Sequence, residues 1–366
     1  MKTRAAVVAI PSSPFEINEL DLDDLRDDEI RVKIVGVGVC HTDLICRDQV
    51  YPVPFPIVLG HEGSGIVEGV GSAVTHVRKG DAVVLSYRSC GECVNCARGQ
   101  LSRCINIFQC NFSCERPGGT SSLSQEGEPV HGSFFGQSSF ADYAIAHKSN
   151  TVKVPEDTRV PLENLGPLGC GIQTGAGAVM NSLKPEPGSS LVVFGCGSVG
   201  MSAIMAARIA ACATIIAVDP LPARRKLAEQ LGATHSIDPG EQDPVEKCHE
   251  LTSFGADYSL ECTGIPAVFR QSVEAIAVHG VCGLIGASPL DTEVTLDMNS
   301  IMFGRTVKGI VEGDSVPQTF IPKLIELYQQ GEFPLDKLIS TYRMDEIETA
   351  ISDMEQGRTL KPVLIP

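Results

Sequence analysis

The chain has 366 residues, 43% hydrophobic and 20% charged, the make-up of a folded globular protein long enough for two or three domains. Its 29 Lys and Arg against 45 Asp and Glu give a formal charge of −16, which argues against a nucleic-acid partner and against an anionic membrane surface. No apolar run approaches the ~20 residues of a membrane span, and the first ten residues do not read as a secretory signal.

Fourteen cysteines in such a chain point to metal ligands, catalytic groups or buried thiols of a cytoplasmic protein rather than to a disulfide framework. Up to about residue 170 the chain reads as short strands and turns. Residues 30–39 and 57–70 mix β-branched residues with Gly, and Lys79-Gly80-Asp81 leads into the apolar run 82–85. Runs of this kind, punctuated by Pro and Gly, predict an antiparallel or barrel-like β region. Segment 108–139, rich in Ser, Gly and Cys, is long for an ordinary connection and is expected to be a functional or interface loop. From about residue 190 the texture changes. An apolar strand at 191–194 precedes a glycine loop, followed by an Ala-rich helix over 199–213, a strand over 214–218 and a helix over 223–231. Further strands are expected at 258–261 and 281–285. Strands alternating with helices predict an α/β fold, with a doubly wound parallel sheet covered on both faces. Beyond residue 307, helices are expected at 320–330 and 344–356 and a strand at 363–365. No internal repeat is present.

Gly195-Cys196-Gly197-Ser198-Val199-Gly200 is a G-x-G-x-x-G that directly follows an apolar strand and opens a helix, and Asp219 ends the next strand nineteen residues after Gly200. That context makes it the Rossmann dinucleotide fingerprint. The glycines let the backbone approach a pyrophosphate, and the helix N-terminus supplies partial positive charge. Asp219 can accept hydrogen bonds from ribose hydroxyls and would repel a 2′-phosphate, so NAD is favoured over NADP. Arg224 and Arg225 follow on the next helix and can accept a 2′-phosphate; the acid is taken as decisive.

Cys90, Cys93, Cys96 and Cys104 place four thiols within fifteen residues, a spacing that can enclose one tetrahedral structural zinc. An iron–sulfur cluster is the rival reading, and zinc fits better beside a dinucleotide fold and a second set of metal-type residues. That second set is dispersed: Cys40 with His41-Thr42-Asp43, then Gly60-His61-Glu62, then Cys170. No spacing rule joins these.

GHEGSGIVEGVG, KGDAVV, the four-cysteine lobe, Cys170-Gly171 and GCGSVG with Asp219 together resemble the zinc-dependent medium-chain alcohol dehydrogenase family, nearly end to end. In detail the chain resembles its aryl (benzyl) alcohol and terpene-alcohol members. The resemblance implies a Rossmann NAD-binding domain, 171–307, inserted in a largely β, GroES-like catalytic domain, 1–170, whose structural zinc lobe spans 86–110. Residues 308–366 would return to the catalytic domain. It also implies two zinc ions per subunit. Cys40, His61 and Cys170 would hold the catalytic one, leaving a fourth position for water or substrate oxygen, and Cys90, Cys93, Cys96 and Cys104 the structural one. Glu62 matches an acidic position beside the metal, and Asp43 the carboxylate that orients the imidazole.

The activity so implied is reversible NAD-dependent oxidation of a primary alcohol to the aldehyde, through a zinc alkoxide and hydride transfer to nicotinamide C4. Thr42 matches the hydroxyl that accepts the alcohol proton, but Ile45 stands where many relatives carry a relay histidine, so the later proton path stays open. His41, Lys361, Arg224, Thr174 and Val199 match positions around the cofactor. Ser86, Phe134 and Phe135 fall where the family lines its alcohol channel. A small Ser86 and two aromatics favour a bulky benzylic or allylic alcohol; a core role for the two Phe residues is the competing reading. The alternative activities are an S-hydroxymethylglutathione (formaldehyde) or general aliphatic alcohol dehydrogenase; a non-catalytic scaffold or a zinc-free quinone reductase would not need the ligand set. The expected partners are a small alcohol or aldehyde and a second copy of the chain. Segment 108–139 resembles the dimeric branch, with a tetramer as the alternative.

Overall fold

A computed structural model describes all residues, Met1–Pro366. The chain divides into two compact units, Met1–Gly171 with Val316–Gln330 and Leu335–Pro366, and Ile172–Ser315 with Gly331–Pro334. No helix is long and apolar enough to cross a membrane.

In the first unit, the strand Glu29–Gly38 buries Ile30, Val32 and Ile34 in alternation with the half-buried Arg31 and the exposed Lys33, the period of a strand with one face on the core. It pairs antiparallel with Glu62–Val70, Tyr143–His147 and Lys361–Ile365 within a seven-stranded sheet. An antiparallel five-stranded sheet carries Lys2–Val8 between Ile57–Val58 and Glu16–Leu22. Leu20, Ile30, Ile57, Leu85 and Phe140 are among the fully buried residues of this unit, each contributing on the order of 1.5–3 kcal/mol by leaving water. The run expected at 57–70 is two strands, Ile57–Val58 and Glu62–Val70, because Gly60 turns the chain at φ +88°. Register places Glu62 opposite Gly38, where a Cβ would lie 2.0 Å from Glu62 Oε2.

Segment 108–139 is more ordered than a loop. It holds most of the helix Ile107–Phe112, the hairpin Leu123–Gln125 and Glu128–Val130, and a tight turn at Phe134–Gly136. The buried Arg116 guanidinium ties it down, donating to Glu29 at 2.8 and 2.9 Å and to Asp23 at 2.8 Å.

The second unit is built on a six-stranded parallel sheet, ordered His235–Ile237, Thr214–Val218, Ser190–Phe194, Ala256–Glu261, Ile276–Leu284 and Thr306–Gly309. In chain order this is 3-2-1-4-5-6, the doubly wound arrangement whose order reverses beside the first strand. The helices Pro222–Leu231, Pro244–Thr252 and Pro266–Glu274 each begin with proline, which is preset for the first helical position and lacks an N–H that would go unused there. The helix expected to reach residue 213 is Ser198–Ile209; Ala211 at φ +59° ends it. This unit runs past the expected boundary at 307 to Ser315, because Gln173 donates to Glu312 and accepts from Ser315 within it.

Candidate functional site

Cys40 follows the central strand Glu29–Gly38 and opens the helix His41–Arg47. Its N–H donates to Asp43 Oδ2 at 2.9 Å. Asp43 Oδ1 accepts the Gly60 N–H at 3.0 Å and lies 2.9 Å from His61 Nδ1. A carboxylate only accepts, so Nδ1 carries the ring proton and Nε2 presents its lone pair. That Nε2 is buried without a hydrogen-bond partner, a costly state unless an electron-pair acceptor belongs there. The ligand atoms of Cys40, His61, Glu62 and Cys170 all lie within 4.8 Å of one another. Two thiols, one imidazole and a carboxylate are a donor set that fits zinc. A hydrogen bond with Cys170, helped by the positive charge of Lys361, holds the Cys40 thiol well below its ordinary range despite burial.

Lys361 departs from expectation. Expected among the residues around the cofactor, it is 1% exposed, and its ammonium donates to Glu62 Oε1 and Oε2 at 3.0 Å each and to the Val39 carbonyl at 3.1 Å. Those three acceptors use its three protons, leaving none for a phosphate. Burial opposes charge on this amine, yet Glu62 and Cys40 hold it protonated. Glu62 Oε1 also accepts the Gly171 N–H at 3.0 Å, next to Cys170.

Of the three residues expected to line the alcohol channel, two are packed inside the protein. Ser86 and Phe134 are fully buried. The Ser86 hydroxyl donates to the Gly169 carbonyl at 2.6 Å, bracing the turn before Cys170, and Phe134 packs edge-on to His61 at 5.4 Å. Phe135 stacks on the imidazole at 4.5 Å and an interplanar angle of 29°. Its left-handed backbone, φ +51°, is unusual for an aromatic residue and is secured by Asn150 Nδ2, which donates to its carbonyl at 2.8 Å.

Sequence reasoning missed the aromatic residues beyond Phe135. Phe112 meets Phe135 at 5.2 Å, Phe108 meets Phe112 at 5.2 Å, and Tyr51 meets both outer rings at 6.3 and 5.9 Å. The path runs from Phe108, 55% exposed, inward to His61. Gln137 was missed as well: its amide donates to the His61 carbonyl at 2.9 Å and the Ser86 carbonyl at 3.1 Å, holding the two segments together. Neither feature has a local sequence signature. Thr42 is half-buried beside Cys40, with its hydroxyl 3.8 Å from the Cys40 sulfur; His41 is exposed and Ile45 buried.

The sulfurs of Cys90, Cys93, Cys96 and Cys104 form the second cluster, with separations of 3.4, 3.9 and 4.0 Å among them. Tetrahedral zinc–thiolate bonds of about 2.3 Å place sulfurs roughly 3.8 Å apart, so this set also fits zinc. Backbone N–H groups of Cys96 and Ile105 bring the Cys93 thiol down to about 6.

In the second unit, Gly195 takes φ +91°, and a Cβ on Gly200 would strike the Gly195 carbonyl at 2.0 Å. Gly197 caps the helix Ser198–Ile209 without a side-chain bond and faces open space, which leaves first-turn N–H groups free for an anion. Asp219 Oδ2 accepts the Cys196 N–H at 2.8 Å, and Arg224 Nη1 lies 3.8 Å from the same oxygen. Thr174 is buried on the helix Gly171–Gly177, whose Gly175 packs against the Val199 carbonyl. These residues fit a dinucleotide.

Residues 26–156 match the alcohol dehydrogenase GroES-like domain, and residues 198–330 match the zinc-binding dehydrogenase family. Geraniol dehydrogenase of Castellaniella defragrans is 44% identical over 368 residues, covering 100% of this chain and 98% of its own. The chain belongs to the zinc-dependent alcohol dehydrogenase family. Among solved structures, this alcohol dehydrogenase is similar to the benzyl alcohol dehydrogenase of Acinetobacter calcoaceticus, at 48% identity and TM-score 0.96, over 100% of this chain and 99% of that one. It is likewise similar to an alcohol dehydrogenase zinc-binding domain protein of Burkholderia ambifaria, at 51% identity and TM-score 0.97, with the same coverage.

Proposed function

We propose that this alcohol dehydrogenase oxidises a bulky apolar primary alcohol, benzylic or allylic, to its aldehyde, reversibly and with NAD. The observation that carries the reading is the aromatic path that ends in Phe135 stacked on the His61 imidazole: flat faces suit a ring or a conjugated chain. The geraniol and benzyl alcohol dehydrogenases among its relatives support the same substrate class.

Cys40, His61 and Cys170 would hold the catalytic zinc, and Cys90, Cys93, Cys96 and Cys104 the structural one. Bound there, zinc supplies a Lewis acid for the alcohol oxygen, and NAD supplies the hydride acceptor. The protein's own part is positional. Asp43 fixes the imidazole, while Glu62 lies among the ligands with its charge balanced by Lys361. Thr42 takes the alcohol proton, and the onward path does not run through Ile45, which cannot carry one. The amides after Gly197 bind the pyrophosphate, and Asp219 with Arg224 the adenosine ribose; Val199 and Thr174 flank the nicotinamide.

The first unit accordingly carries the alcohol and the second NAD. A homodimer is supported by the sheet-edge strand Thr306–Gly309, flanked by exposed Met302, Phe303 and Val311, an edge suited to a second copy. Fourteen cysteines with no disulfide among them support a reducing, cytoplasmic setting. Replacing Cys40 by Ala tests the site: turnover with benzyl alcohol should be lost while nucleotide binding persists. Unchanged turnover would contradict the ligand assignment.

A further inference from the structure

The strand ends that face the proposed adenosine ribose carry two carboxylates and two guanidinium groups. Asp219 follows Thr214–Val218, and Asp238 follows the adjacent strand His235–Ile237; Val218 is paired with Ile237, so the two acids leave the sheet side by side. The Asp219 carboxylate is held by the protein, Oδ2 accepting the Cys196 N–H at 2.8 Å and Oδ1 the Leu221 N–H at 2.9 Å.

The two arginines differ. Arg224 Nη1 stands 3.8 Å from Asp219 Oδ2, and its buried Nε has no partner. Arg225 is held at both terminal nitrogens: Nη1 donates to the Asp219 carbonyl at 2.7 Å, and Nη2 pairs with Asp238 Oδ2 at 2.7 Å. Asp238 is itself anchored, its Oδ1 accepting the Gly240 N–H at 2.9 Å.

We propose that Asp238 is a second determinant of cofactor choice, a positioning residue that clamps Arg225 against the sheet end and neutralises it. This rests on the reading of the glycine loop as the NAD site. A 2′-phosphate would bring nearly two negative charges and wants planar, bidentate donors. With Asp238 in place, only Arg224 is available to meet it, against the charge of Asp219. Without the Asp238 charge, Arg225 is freed within the same first turn of the helix Pro222–Leu231. The Asp238→Asn variant keeps an oxygen for the Gly240 N–H and replaces the charged oxygen that holds Arg225 by an NH2 group, which cannot accept from it.

Calorimetric binding of 5′-AMP and 2′,5′-ADP to the intact protein tests this without any turnover. The wild type should prefer 5′-AMP. Asp238→Asn should raise 2′,5′-ADP affinity roughly tenfold, the worth of one charge-assisted contact, and leave 5′-AMP within about twofold. In an Asp219→Asn background the same gain should appear on top of the first. Adding Arg225→Gln should abolish it, which a merely structural role for Asp238 would not do. An unchanged ratio of the two affinities in Asp238→Asn, or a gain that survives Arg225→Gln, overturns the proposal while 5′-AMP binding stands. Failure of the wild type to bind either nucleotide overturns both it and the reading of the NAD site.

Discussion

His61 Nδ1 lies 2.9 Å from Asp43 Oδ1, an oxygen that also accepts the Gly60 N–H. One buried carboxylate thus sets the imidazole tautomer and fixes the turn that carries it. Asp43→Ala should weaken zinc at the Cys40 cluster about 10–100-fold and cost about 1–3 kcal/mol for each stranded N–H. Chelator competition and chemical denaturation read the two effects separately; unchanged zinc affinity would remove Asp43 from the site.

Lys361 and Glu62, 299 residues apart in sequence, form an almost fully buried pair. Lys361→Met leaves Glu62 charged and unpaired, and should cost about 3–5 kcal/mol. Adding Glu62→Gln should recover part of that loss, because the stranded charge is gone. A double-mutant cycle with additive losses would show that the two residues are not coupled.

How much of this was readable beforehand follows from distance along the chain. The glycine loop and the four-cysteine lobe are local patterns, and their glycine and thiol spacings are tied directly to backbone geometry. Cys40, His61 and Cys170 could be joined only by resemblance, because separate strands and turns bring them together. The Lys361–Glu62 pair went unseen for the same reason: a charged residue near the end of a chain is ordinarily solvated, and only the pairing of Lys361–Ile365 beside Glu29–Gly38 buries this one. The Phe108–Phe112–Phe135 path depends on the unusual backbone of Phe135, which no propensity anticipates.

His147 gives a pH dependence. Burial, with the nearby Arg88 charge, holds its imidazole below the usual range despite the Asp28 carboxylate at 3.0 Å. The unfolded chain therefore binds a proton that the folded chain refuses, so stability is retained above the ordinary histidine value of about 6.5 and falls as pH drops below it. His147→Gln should flatten that acid-side loss in a series of melting temperatures. An identical slope in the variant would locate the loss elsewhere.

Phe135→Leu keeps an apolar side chain against His61 but removes the flat face. The ratio of kcat/KM for benzyl alcohol to that for ethanol should fall about tenfold. Steady-state kinetics with both alcohols measure it, and an equal loss for both would make Phe135 a packing residue alone.

The most direct measurement is the initial rate of NADH formation by the zinc-loaded protein with benzyl alcohol, geraniol, ethanol and S-hydroxymethylglutathione. The account predicts that benzyl alcohol and geraniol give kcat/KM values at least about tenfold above those of the other two. A preference for S-hydroxymethylglutathione or ethanol, or no NADH from any of them, would contradict it.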